Sequence, residues 1–135
     1  MADGPIRTSR QRTGDAAEAL VAALLLGRGW EVLGRNVHAG RGELDIVAVD
    51  PGPPARLVVV EVRWRGTRRY GGAEGSFDGR KRLHLRAGIA RLLEAGRLPD
   101  GAPLPRHPIA VDLAVVEPSY GNGGSRVVLY KNALA

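Results

Sequence analysis

Three valine-rich stretches follow one another between residues 30 and 65: WEVLGRNV, GELDIVAVD and ARLVVVEVRW. The turns between them, HAGR and PGPP with its Pro51, Pro53 and Pro54, are too short for anything but hairpins. Strands joined this tightly are antiparallel neighbours, because a parallel return needs a dozen residues or more. Upstream, TGDAAEALVAALLLGRG reads as a helix with Thr13 as N-cap and Gly29 as its stop. Downstream, the aperiodic loop GTRRYGGAEGS leads to a second helix, capped by Asp78 and running to about Ala95, with Leu85, Ile89, Leu92 and Leu93 as its apolar stripe. A proline-rich loop with Pro99, Pro103, Pro105 and Pro108 separates this helix from two last strands, IAVDLAVVE and RVVLY. A helix between strands three and four favours a parallel crossover there. The expected fold is therefore α/β: helix, three antiparallel strands, helix and two further strands, in one mixed sheet flanked by helices.

With 135 residues there is room for one core, expected over 13–135 after a flexible basic tail at 1–12. Hydrophobic residues make up 44%, enough for that core, so disorder along the whole chain is excluded. The absence of cysteine excludes a disulfide framework and thiolate chemistry. No apolar run is long enough to span a bilayer and no signal core follows Met1, so a cytoplasmic protein without a membrane partner is expected. The formal charge of +6 favours a polyanionic partner. Between Arg56 and Arg91 ten basic residues face three acids, a net +7 that exceeds the charge of the whole chain.

Acids interrupt the apolar strands where side-chain alternation gives them a shared face. In GELDIVAVD, Glu43, Asp45, Val47 and Val49 are expected on one face, with Leu44, Ile46 and Ala48 on the other. If Asp50 pairs with Arg56 across the turn, Val47 meets Val59, Asp45 meets Glu61, and Glu43 meets Arg63. Two carboxylates directly opposed destabilise a sheet by roughly 0.2 to 1 kcal/mol, so a cation between them is called for. Two readings fit: a bound Mg²⁺ or Mn²⁺, which all-oxygen ligands suit better than Zn²⁺, or salt bridges to Arg41, Arg63 and Arg65. His38, His84 and His107 are scattered and make no ligand set. Glu18 lies in the first helix beside the apolar stripe formed by Val21, Ala22 and Leu25, so it either points at the sheet edge or is a glutamate of the first turns that suits the helix dipole. Lys81 precedes Leu85 by one helical turn, so it either heads the second helix's stripe or faces solvent. Asp112, alone in an apolar strand, reads as structural.

The helix GDAAEALVAALLLGRGWEVLGRN, then GELDIVAVD and VVVEVRWR, the helix with Lys81, and RVVLYKNALA together resemble the YraN-like family of small bacterial proteins. Through that family the chain is similar to the PD-(D/E)xK nuclease superfamily, with its restriction endonuclease-like fold. The resemblance implies that Asp45 is the metal-binding aspartate and Glu61 the second acid of the core motif. It also implies that Glu18 is the helix-one acid of the branch that resembles Holliday junction resolvases, and that Glu43 assists at the metal. The motif's lysine, expected two positions after Glu61, is replaced by Arg63. A guanidinium stays protonated and cannot be tuned toward a base, which leaves Lys81 as a displaced candidate.

The implied activity is metal-dependent cleavage of DNA, with branched or structured DNA as candidate substrates and a role in repair or recombination. Catalytic candidates are Asp45, Glu61, Arg63 and Lys81; metal candidates are Asp45, Glu61, Glu18 and Glu43. Phosphate contacts are expected from Arg65, Arg68, Arg69, Arg80 and Arg82. No base-reading motif is visible, so recognition is expected through backbone and shape. The competing readings are a non-catalytic nucleic-acid-binding protein on the same fold, with Arg63 marking lost activity, and a basic RNA-associated protein without metal. Trp64, Tyr70 and Phe77 are too few and too irregular for an RNA-stacking platform. A second copy of the chain is a further candidate partner.

Overall fold

The structure, a computed structural model, describes residues 9–40, 42–65, 79–119 and 123–133. Helix α1 (Ser9–Gly27) leads into β1 (Glu31–Ala39), β2 (Gly42–Asp50) and β3 (Arg56–Trp64); α2 (Gly79–Ala95), β4 (Ile109–Pro118) and β5 (Ser125–Tyr130) follow. The strands form one sheet in the order β1-β2-β3-β4-β5. β3 and β4 run parallel, and the other neighbours are antiparallel. The expected α/β layout is thus observed.

α1 begins four residues earlier than expected, so Thr13 is an interior residue and Ser9–Arg12, assigned above to the tail, are helical. Good helix formers continue upstream of Thr13, and propensity outweighs the cap signal. The other end matches the sequence. Gly29 adopts φ 84°, its N–H bonds to the Leu26 carbonyl at 3.0 Å, and the Trp30 N–H bonds to the Leu25 carbonyl at 3.0 Å. That pair of bonds is a Schellman cap, and it delivers the Trp30 ring into the core beneath α1.

The two helices cover opposite faces of the sheet. Under α1, Ala17, Val21, Ala22 and Leu25 pack on Ile46, Ala48, Val58, Val60, Ala114 and Val116. Under α2, Leu85, Leu92 and the half-buried Ile89 pack with Leu44, Val47, Leu57, Val59 and Val111. Strands buried on both faces read as continuous apolar runs, which is why LVVV has no polar alternation. Each fully buried Val or Leu stabilises the fold by about 1.5–3 kcal/mol. Leu93, assigned to the α2 stripe, is instead exposed; a residue adjacent to Leu92 lies about a quarter turn off the buried line.

The β2–β3 register follows the expectation from Asp50–Arg56 through Val47–Val59 to Ile46–Val60, where the ladder ends. The face assignment fails at one point. Leu44 packs on the α2 side with Val47, whereas Ile46 and Ala48 pack on the α1 side, so strict alternation breaks at Asp45. β1 breaks at the same level. Asn36 lies between the pairs Arg35–Ile46 and Val37–Leu44 and adopts φ 50°, a left-handed turn of the backbone that Asn tolerates better than most residues. Val37 crosses to the α2 side as a result. It comes so close to Gly34 that a Cβ there would stand 2.9 Å from Val37 Cγ2, so a larger residue would have to displace the Val37 side chain.

At the far end of the sheet Arg56 joins two acids. Its Nη2 donates to Asp50 Oδ2 at 2.8 Å and to the fully buried Asp112 at 3.2 Å, while Asp112 also accepts from the Asn132 N–H at 3.0 Å. Asp112 is structural, as its isolation in an apolar strand suggests. Among the described residues no helix is long and apolar enough to cross a membrane.

Candidate functional site

The break at Asp45 opens a cleft of about 350 Å³ between the N-terminal half of α1 and the diverging ends of β2 and β3. Asp15, Glu18, Asn36, Glu43, Asp45 and Arg63 line it. Where the ladder stops, the Asp45 carboxylate takes over: its Oδ2 accepts the Val62 N–H at 2.8 Å, a bond that a facing strand would ordinarily supply. Asp45 therefore sits in the seam between the strands, and the direct Asp45–Glu61 ladder pair of the simple register is not formed. The two strands diverge just after the Ile46–Val60 pair.

Arg63 connects the two acids. Its Nη1 lies 3.9 Å from Asp45 Oδ2, its Nη2 lies 3.5 Å from Glu61 Oε1, and Nη1 also donates to the Val62 carbonyl at 3.0 Å. Glu61 is only 5% exposed. The cation that the opposed acids call for is thus supplied by the chain itself. The simple register sets Arg63 against Glu43 across the strands; Glu43 instead turns to the cleft rim, with His38 Nδ1 3.8 Å away on β1.

Glu18 is buried and faces the cleft from α1. Its Oε1 accepts from Arg35 Nε at 3.1 Å and Asn36 Nδ2 at 3.0 Å. Burial pushes its carboxyl above the usual range, the Arg35 hydrogen bond works against the rise, and the negative charge of Asp45 adds to it. Asp15, Arg35 and Asn36 do not stand out in the sequence. Asp15 has a signal, since it lies three residues before Glu18 on the same helix face; Arg35 and Asn36 are polar residues in an edge strand and have none.

The basic candidates divide. Arg65 Nη1 pairs with Glu117 at 3.5 Å, and Arg126 donates to the same carboxylate through Nε at 2.6 Å. Arg82 is exposed on α2. Lys81 and Arg80 belong to the first turn of α2, but their side chains lie outside the described residues, as do Arg41, Arg68, Arg69 and Asp78.

The model of the uncharacterised protein family UPF0102 matches residues 17–116. The chain belongs to that family. A UPF0102 protein of Moorella thermoacetica is 44% identical over 78 residues, 58% of this chain and 62% of its own length. The UPF0102 protein of Bordetella petrii is 40% identical over 117 residues, covering 86% of this chain and 69% of that protein. The one from Methylococcus capsulatus is 35% identical over 125 residues, covering 93% and 92%. The UPF0102 match encloses Glu18, Glu43, Asp45, Glu61, Arg63 and Lys81, and leaves Asp15 just outside.

Among the described residues no three acids or histidines are grouped as a ready-made metal site. The donor chemistry nevertheless fits a hard divalent cation. Glu18, Glu43 and Asp45 line one cleft, and the repulsion between Glu18 and Asp45 is of the kind a bound cation relieves.

Proposed function

We propose that this chain is a metal-dependent nuclease acting on DNA, with branched or structured DNA as the leading substrate class. The observation that carries the reading is Asp45 and Glu61 held on either side of one guanidinium where β2 and β3 diverge, with Glu18 facing the same opening. Glu18, bonded to Arg35 and Asn36, adds a third carboxylate at the cleft, and the negative charge of Asp45 raises its carboxyl.

Asp45, Glu61 and Glu18 are the residues that would hold Mg²⁺ or Mn²⁺, with Glu43 at the rim. The chemistry such an ion supplies is Lewis-acid activation of a phosphoryl oxygen and of water. Arg63 holds a phosphate oxygen and offsets the charge that builds on phosphorus during displacement. Its fixed positive charge rules it out as general base, so proton removal falls to another group, and Lys81 is the candidate from α2. Arg65, Arg68, Arg69, Arg80 and Arg82 grip the backbone.

The test is incubation of the purified protein with Mg²⁺ or Mn²⁺ and duplex, single-stranded, flapped or four-way DNA, scoring binding and cleavage together. Cleavage that disappears in Asp45→Ala while binding persists supports the reading. One observation favours a second, non-catalytic reading: Arg63 already lies against both acids, 3.9 Å from Asp45 and 3.5 Å from Glu61. Binding without cleavage by the parent and by Arg63→Lys, on every substrate and with either metal, makes that reading the better one.

A further inference from the structure

Asp45 and Glu61 do not wait as bare acids; the single positive charge of Arg63 lies against both and offsets part of theirs, and an ion that enters has to contend with it. The guanidinium sits 3.9 and 3.5 Å from the two carboxylates, long contacts for charge-assisted bonds, which settle nearer 2.7–2.9 Å. A divalent ion binds carboxylate oxygen at about 2.1 Å and needs the space and the charge that Arg63 occupies. Arginine cannot vacate by losing a proton. It leaves only by swinging to another anion, and a phosphodiester backbone is the bidentate partner its fork fits. Arg63 is 15% exposed and lines the open cleft, so such a partner reaches it from solvent.

Resting on the nuclease reading above, we propose that Arg63 is a built-in counter-ion that keeps a divalent cation off Asp45 and Glu61 until a nucleic-acid phosphate draws its guanidinium away. Metal and nucleic acid then bind cooperatively, each raising the affinity of the other by the same factor. The free protein binds metal weakly, and the site loads on its substrate.

The experiment is calorimetric titration of Mn²⁺ into the free protein and into Arg63→Gln and Arg63→Lys, with circular dichroism melting to confirm folding. It is paired with fluorescence anisotropy of a labelled duplex with and without Mn²⁺. The expected result is Mn²⁺ affinity about tenfold higher in Arg63→Gln, within the usual range of coupling between sites, and intermediate in Arg63→Lys. Mn²⁺ should tighten duplex binding by the parent, against the weakening that added salt causes by itself, and should not tighten it in Arg63→Gln. If Arg63→Gln does not fold, Arg63→Lys is the deciding variant. Mn²⁺ affinity equal in parent and folded variants, or duplex binding by the parent that Mn²⁺ does not tighten, overturns the proposal. In that case, a parent that still binds Mn²⁺ and cleaves leaves the nuclease reading standing. No Mn²⁺ binding by any of the three proteins, with or without duplex, brings both down.

Discussion

Asp45 combines two demands that separate under mutation. One oxygen completes the backbone bonding of β3 through the Val62 N–H, and the carboxylate charge faces the cleft. Asp45→Asn keeps an acceptor for Val62 and should retain stability while losing cleavage. Asp45→Ala should lose cleavage and also about 1–3 kcal/mol of stability, the cost of a stranded N–H; urea unfolding beside a cleavage assay separates the two. Glu18 carries a pH signature. Its carboxyl is raised in the folded state, so the folded protein binds this proton more tightly than the unfolded chain does. Its contribution to stability is greatest below the ordinary glutamate value of 4.5 and falls as pH climbs through that value toward the raised one. Glu18→Gln should therefore gain stability relative to the parent as pH is raised across that window, read from urea midpoints at a series of pH values. Arg63→Lys restores a group whose proton can be tuned, and a faster single-turnover cleavage rate is the expected outcome.

At the scale of strands and helices, charge pairs of similar appearance carry unequal weight. Arg56 compensates the fully buried Asp112 at the junction of β3 and β4, so Arg56→Ala should cost about 3–5 kcal/mol, the penalty for stranding a buried charge. Arg126, 60% exposed beside Glu117, should cost about 0–1 kcal/mol in the same denaturation assay. Much of this level is legible in the sequence. Matching Val47 with Val59 places the β2–β3 register correctly, and the helix between β3 and β4 announces their parallel pairing. The face of Asp45 is not legible, because alternation assumes a regular strand, while the left-handed Asn36 and the divergence of β2 from β3 turn Leu44 under α2. Arg35 escapes notice for a related reason: its role exists only because the register shift between Val32 and Gly34 pairs it with Ile46, on the α1 side of the sheet, where it reaches Glu18.

For the molecule as a whole, a net charge of +6 predicts that DNA binding weakens with salt and depends little on sequence. The slope of log K against log salt should be several units negative, about −0.9 for each phosphate neutralised, and reversing charge at Arg68 and Arg69 should make it shallower in an anisotropy titration. The sheet order has a different bearing, on assembly. β3 joins β2 through a short turn, but it meets β4 only after everything from Trp64 to Ile109 has been traversed. Local pairings close at lower entropic cost than distant ones, and chains are made from the N-terminus. Glu18, Glu43, Asp45, Glu61 and Arg63 all precede that long return. A nascent chain thus holds Glu18, Glu43, Asp45 and Glu61 before β4 exists to cover the other edge of β3, and Arg63, synthesised alongside Asp45 and Glu61, offsets part of their charge from the moment they meet.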